Sequence, residues 1–176
     1  MALTASNVRA AITGAVYVGA TATAAPTSHN SVLDAGFADL GYLNADGITE
    51  ARERTSEPIR AWQLNTIVRT LITESGMTFT FVPIETKKKT IETFYGSSVT
   101  DGTGLITVDP ASTGGRLSWV IDVIDGTDTI RWYIAEGEVT EVGDVVYAAG
   151  SGDPIGYEMT VTAYGTPKRW ESSLIV

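Results

Sequence analysis

Apolar and polar residues alternate along much of this chain. Between Asn7 and Gly19, Val8, Ala10, Ile12, Gly14, Val16 and Val18 fall on one side, against Arg9, Ala11, Thr13, Ala15 and Tyr17. A period of two predicts a strand. Thr66–Glu74 and Met77–Glu85 predict a hairpin about Ser75-Gly76. Leu105–Val108 predicts a short strand. Arg116–Ile124 and Thr129–Glu136 predict a second hairpin, with Asp125-Gly126 supplying the turn chemistry. In it Trp119, Ile121 and Val123 share one face, as do Ile130, Trp132 and Ile134. Ile155–Tyr164 alternates almost without fault. The period changes only at 86–95, where Ile91, Phe94 and Tyr95 share a helical face, Lys88 and Glu92 stand four apart, and Gly96 is a stop. Three lysines in its first turn oppose the helix dipole. The sum is about eight strands and one flanking helix: a mainly β chain, an antiparallel barrel or sandwich with extended loops and arms.

The segments between these elements are long. Residues 21–30 are small and polar with Pro26, and 34–47 are rich in turn residues. Residues 166–176 follow a break at Gly165 and read as a C-terminal arm. No repeat or linker divides residues 1–176, so a single domain is expected. The stretch from Glu50 to Arg60 stands apart, because six of its 11 residues are charged, of both signs. It has no apolar stripe, and Pro58 interrupts it as a helix. It is expected to form a charged arm, about 49–63, that has no home in its own fold and needs a partner.

Composition narrows the function. The net charge is −9, and the only basic run is Lys87-Lys88-Lys89. Nucleic-acid modules need more clustered cations than that. Residues 117–153 hold eight acids and one base, Arg131. There is no Cys, which removes disulfides, thiolate metal sites and Cys nucleophiles together. The N-terminal apolar run is short and broken by Arg9 and Thr13, so neither a signal peptide nor a membrane span is expected.

Candidate chemistry is thin. The one histidine, His29, lies in a Pro/Thr/Ser loop with nothing in the sequence to orient it. Asp122, Asp125 and Asp128 recur every third residue, but Asp125 and Asp128 flank a turn, where Asp is common. Nothing in spacing selects a catalytic carboxylate pair from Glu136 with Glu138, or Glu158 with Glu74. Gly102-Thr-Gly104 and Gly150-Ser-Gly152 open no helix and so cradle no phosphate. The reading is no enzyme, no cofactor and no metal. A competing class is a virion or cell-surface β-sandwich that binds a carbohydrate or receptor through Trp119, Trp132 or Tyr133.

The order of the pieces is more specific. Asn7-Val8-Arg9 to Gly19 is followed by Leu40-Gly41-Tyr42-Leu43 to Gly47. Ile48-Thr49-Glu50 then runs into the charged arm through Trp62. Phe81–Tyr95 and Asp153-Pro154-Ile155-Gly156-Tyr157-Glu158 complete the series. In this order the chain resembles the major tail (tail tube) proteins of long non-contractile-tailed phages, particularly those of actinobacterial hosts. The resemblance implies a structural virion protein assembled in the host cytoplasm. It implies hexameric rings stacked into a tube around a tape-measure protein, ended by tail terminator and distal tail proteins. DNA would pass through the lumen without specific binding at ejection, and no membrane or active site is implied. On that resemblance Arg52, Glu53, Arg54, Glu57, Arg60 and Trp62 are expected to contact neighbouring subunits. An axial reach to the next ring is expected, since sheet edges can serve within a ring. Residues 2–8 and 166–176 are secondary candidates.

Overall fold

The computed structural model describes residues 8–148, 152 and 154–174. Among them ten strands and one α-helix follow in order: β1 (Thr13–Gly19), β2 (Ala38–Asp39), β3 (Leu43–Arg60), β4 (Ile67–Pro83), α1 (Lys88–Tyr95), β5 (Val99–Thr100), β6 (Leu105–Ile106), β7 (Leu117–Asp125), β8 (Asp128–Val142), β9 (Met159–Tyr164) and β10 (Lys168–Glu171). Eight strands form one antiparallel sheet in the order β2-β1-β7-β8-β9-β4-β3, with β10 also on β8. β9 and β10 follow the same edge of β8 in succession, parted at Gly165, whose φ is +76°. β5 and β6 make a separate two-stranded ladder.

The sheet curls but does not close. An Ile48 methyl stands 3.6 Å from where a Cβ on Gly14 would sit, so β3 and β1 approach each other. No ladder joins them, and a cleft of about 730 Å³ separates them, lined among others by Ile12, Gly14, Leu43 and Ile48. The barrel among the sequence expectations is therefore an open curled sheet. Its concave side holds the core: Val16, Val18, Phe79, Phe81, Trp119, Ile121, Ile134, Met159 and Val161 are all about fully buried. Trp119 and Ile134 are cross-strand partners, as are Ile121 and Trp132, so the two apolar faces read from the sequence are one face. The Trp119 indole donates to the Gly137 carbonyl at 3.1 Å, and a Cβ on Gly137 would stand 2.8 Å from that ring. α1 covers the core with Phe94, whose ring meets Tyr157 edge-on at 5.5 Å. Thr90 anchors the helix by donating to the Leu40 carbonyl at 2.7 Å. Gly96 ends it in the left-handed conformation. The lysines that oppose the dipole are held by acids: Lys87 by Asp39 and Glu85, Lys88 by Asp101 and Glu92.

Half of the opposite face is covered by the loop between β1 and β2. Asp122 and Arg131 are cross-strand partners there and form a buried bidentate pair at 2.7 Å. Arg131 also donates to the carbonyls of Ser31 at 2.6 Å and Ser28 at 3.3 Å, which ties the loop to the sheet. Tyr17 lies nearby, its hydroxyl pKa raised by burial first and then by the carboxylates of Asp122 and Asp39. The three regularly spaced aspartates do not converge. Asp125 accepts from the Ala10 amide at 2.9 Å, and Asp128 pairs with Arg9 and accepts from Ser172.

Other sequence expectations are corrected as well. Residues 67–83 are one continuous strand, not a hairpin about Ser75-Gly76. Gly76 sits in the ladder opposite Glu53, and its φ is not positive, so no turn forms. β1 begins at Thr13 rather than Asn7, and β9 at Met159 rather than Ile155. The tail is not free: β10 pairs with Ile130–Tyr133 of β8, and the Arg169 guanidinium lies 5.7 Å from the Trp132 ring centroid. The charged stretch from 50 to 60 is a strand paired with β4 throughout. Residues 2–7, 175–176 and Asp153 lie outside the described residues.

Removing one member of a buried pair leaves an uncompensated charge. Arg131→Ala is expected to lower unfolding free energy by about 3–5 kcal/mol, and joint replacement by Asp122→Leu and Arg131→Met to recover most of it. Urea denaturation followed by circular dichroism measures both.

Candidate functional site

β3 and β4 outgrow the sheet that carries them. β9 pairs with β4 only at Thr78–Phe81, so residues 67–77 have β3 as their one neighbour. The distal hairpin is exposed on both faces. Its tip is nevertheless fixed. Ala61 donates to the Thr66 carbonyl at 2.8 Å, Thr66 Oγ1 to the Gln63 carbonyl at 2.8 Å, and Arg60 to the Asn65 carbonyl at 3.1 Å. Leu64 and Asn65 hold φ of +57° and +54°. For a leucine that conformation is strained by about 1–3 kcal/mol. The same leucine is 97% exposed, and Trp62 beside it is 98% exposed.

The hairpin's two faces differ in charge. Both register shifts in its distal part place the extra residue, 73 and then 68, on β4, so β3 alternates without interruption from Ile48 to Arg60. Even-numbered residues therefore lie on the side of Ile48 and its partner Phe81, the core side. That side carries Arg52, Arg54 and Arg60 with Glu50. The other side carries Glu53 and Glu57, Glu74 across from Thr55, and one cation, Arg69 across from Ile59. Arg52 and Arg54 have no hydrogen bond or ion pair among the described residues. Apolar residues add to the exposure, with Ile67, Val68 and Ile72 between 55% and 63% exposed. Read as half of a core hairpin, they gave no sign of standing in solvent.

Beyond the β1–β2 loop, the face opposite the core is uncovered and built from threonines. Thr80 and Thr160 hydroxyls meet at 2.9 Å, and Thr140 and Thr162 at 2.7 Å. Thr78 is the register partner of Thr162 on one side and of Ala51 on the other. Glu136 joins this face opposite Tyr164 and is held by Arg116 at 2.6 Å. Glu138 accepts from Thr113 and from the Tyr164 hydroxyl. The nominated carboxylates are thus occupied in separate contacts, and Glu74 sits far out on the hairpin with Thr55. No group of three or more His, Asp or Glu suited to a metal occurs among the described residues. Trp119 and Tyr133 are buried, and Trp132 is packed against the core, so the aromatics nominated for a carbohydrate do not form an exposed platform. Of the six predicted contact residues, all fall on the hairpin: Trp62 at the tip, the three arginines on one face and Glu53 and Glu57 on the other.

A family model described as phage tail tube protein matches residues 1–172. No protein with curated annotation matches the chain. Among solved structures, a chain of an extracellular contractile injection system, the PVC sheath-tube complex in its extended state, is similar with a TM-score of 0.55 at 12% identity. The match covers 95% of this chain and 99% of that one. A chain from the tube-terminating cap of the anti-feeding prophage is similar at 0.52 and 11% identity, covering 98% and 100%. At these identities the likeness concerns the fold.

An exposed tip contributes little to the stability of its own chain. Trp62→Ala is expected to change unfolding free energy by no more than about 0.5 kcal/mol. Backbone amides of residues 67–76 are expected to exchange with solvent well before those of β7 and β9, since their hydrogen bonds lack packing on either face. Hydrogen exchange read by mass spectrometry checks the order.

Proposed function

Because the chain belongs to the phage tail tube protein family, we propose that it polymerises into stacked rings, six copies to a ring, that form the tube of a long non-contractile phage tail. The actinobacterial type is the one the sequence resembles. The observation that carries this reading is the two-faced half-sheet β8-β9-β4-β3. One face is core and the other is an uncovered field of threonines and carboxylates. Such a face suits the wall of a wet channel. DNA presents a charge every ~1.7 Å, and a lining on which carboxylates outnumber cations lets it slide rather than bind. Glu53, Glu57, Glu74, Glu136 and Glu138 lie on this side against Arg69, the partner of Ile59, and Arg116, which is tied to Glu136.

In this reading the subunit is a structural, non-enzymatic component of the virion, put together in the host cytoplasm around a tape-measure protein and bounded by terminator and distal tail proteins. Arg52, Glu53, Arg54, Glu57, Arg60 and Trp62 meet neighbouring copies. The hairpin's exposed apolar side chains are a standing cost to an isolated subunit, which assembly removes. Ring closure uses two different surfaces of one chain, as does stacking, and only the ring closes on itself.

Purified protein at high concentration is expected to show rings or tubes by negative-stain microscopy. Replacing residues 54–75 with Asn-Gly, a two-residue turn between Glu53 and Gly76, is expected to leave the melting transition of the body intact and abolish tubes. Tubes of ordinary length from the shortened chain would remove the hairpin from assembly. A persistent monomer from the intact chain would remove the tube itself.

A further inference from the structure

The β7–β8 turn sets two carboxylates opposite one another. Asp125 and Asp128 are register partners across Gly126-Thr127, and like charges directly opposite destabilise a ladder. Both are answered by the ends of the chain. The segment leading into β1 runs along the β7 edge. Its Ala10 amide donates to Asp125 Oδ2 at 2.9 Å, its Ile12 amide to the Ile124 carbonyl at 3.1 Å, and the Arg9 guanidinium pairs with Asp128 Oδ2 at 2.7 Å. The segment that follows β10 arrives along the β8 edge. There Ser172 Oγ donates to Asp128 Oδ1 at 2.6 Å and accepts from the Thr129 amide at 3.3 Å.

Asp128 therefore holds the two terminal segments at once, one on each oxygen. Each partner fixes the carboxylate's orientation for the other. Hydrogen bonds to an ionised acceptor are stronger than neutral ones, and in the Thr129–Ser172–Asp128 series each bond polarises the next. The Arg9 and Asp128 side chains are 21% and 34% exposed, so salt screens their pair only in part. A slot of about 200 Å³ lies beside it, lined by Arg9, Val123, Ile130 and Ser172 among others. The rest of the N-terminal segment packs on little: Val8, Ala10, Ala11 and Ile12 are all exposed. A segment with so little burial opens locally at low cost once its ionic hold is lost.

We propose that the β7–β8 turn is a clasp that fastens both ends of the chain as one unit, with Asp128 as the shared hold. The two segments open together. Loss of Arg9 lets the carboxylate swing into solvent and loosens Ser172, and loss of Ser172 loosens the N-terminal segment in return. A partner that draws off either end thereby helps to release the other, a reciprocal coupling between two surfaces joined by one carboxylate. The device belongs to the single subunit and is independent of the tail-tube reading.

Native-state hydrogen exchange of the full chain as free subunits, read by mass spectrometry, tests the coupling. Arg9→Gln and Ser172→Ala each remove one partner of Asp128 and leave the carboxylate in place. Arg9→Gln is expected to speed exchange at Thr129 and along β10, and Ser172→Ala at Ala10 and Ile12, each by about three- to tenfold. Asp128→Asn is expected to loosen both ends at once, and in its background Arg9→Gln adds nothing at the far end. Amides of β9, which pack in the core, are expected to keep their rates in every variant. Acceleration confined to the altered end, or spread equally to β9, overturns the inference. So does a further effect of Arg9→Gln at the far end once Asp128 is replaced, because the ends would then communicate by another route.

Discussion

A β-strand has two hydrogen-bonding edges, and the 18 residues of β3 use one of them. That constraint organises the rest of the molecule. A long unpaired edge is a template for further strands, so it must be blunted or given a partner. Here the charges of the Glu50–Arg60 segment restrain indiscriminate pairing while leaving the backbone open. Polymerisation is the arrangement in which edge and charge are both satisfied, which is why a body without candidate chemistry carries so conspicuous a projection.

The remaining architecture holds that edge in place. The core lies wholly on one side of the half-sheet, closed by α1, so the other side is left to threonines and carboxylates. The Asp122–Arg131 pair fastens the β1–β2 loop over the far half of the same face and leaves the near half bare. Division of one sheet face into a covered and an uncovered region thus depends on a buried ion pair whose Arg spends its remaining donor on two loop carbonyls. The sheet stays open between β1 and β3, so β3 is not consumed in closing a barrel within its own chain.

The sequence was readable wherever one face of a strand is buried. β7, the start of β8 and α1 come close to their predicted bounds because Trp119, Ile121, Ile134 and Phe94 write burial into the period, whereas β8 runs on to Val142, six residues past its predicted end. The distal hairpin was opaque for the opposite reason: with both faces in solvent, nothing in Glu50–Arg60 had to alternate in hydrophobicity. The alternation that is present is one of charge sign, arginines at 52, 54 and 60 against glutamates at 53 and 57, and it becomes meaningful only once β3 is known to be a strand. Ser75-Gly76 carried turn chemistry but sits mid-strand opposite Arg54 and Glu53, where long-range pairing overrides local preference. The threonine field went unassembled because its members come from β3, β4, β8 and β9, and register between distant strands is not written in any one of them.

Which face of the half-sheet meets the channel decides the character of the tube's inner wall. A helical reconstruction of tubes grown from the unaltered chain measures this directly. The predicted map has Thr78, Thr140, Thr160 and Thr162 on the lumen wall. A tube whose lumen is lined by any other surface, with the threonine field buried between copies or turned outward, would contradict it.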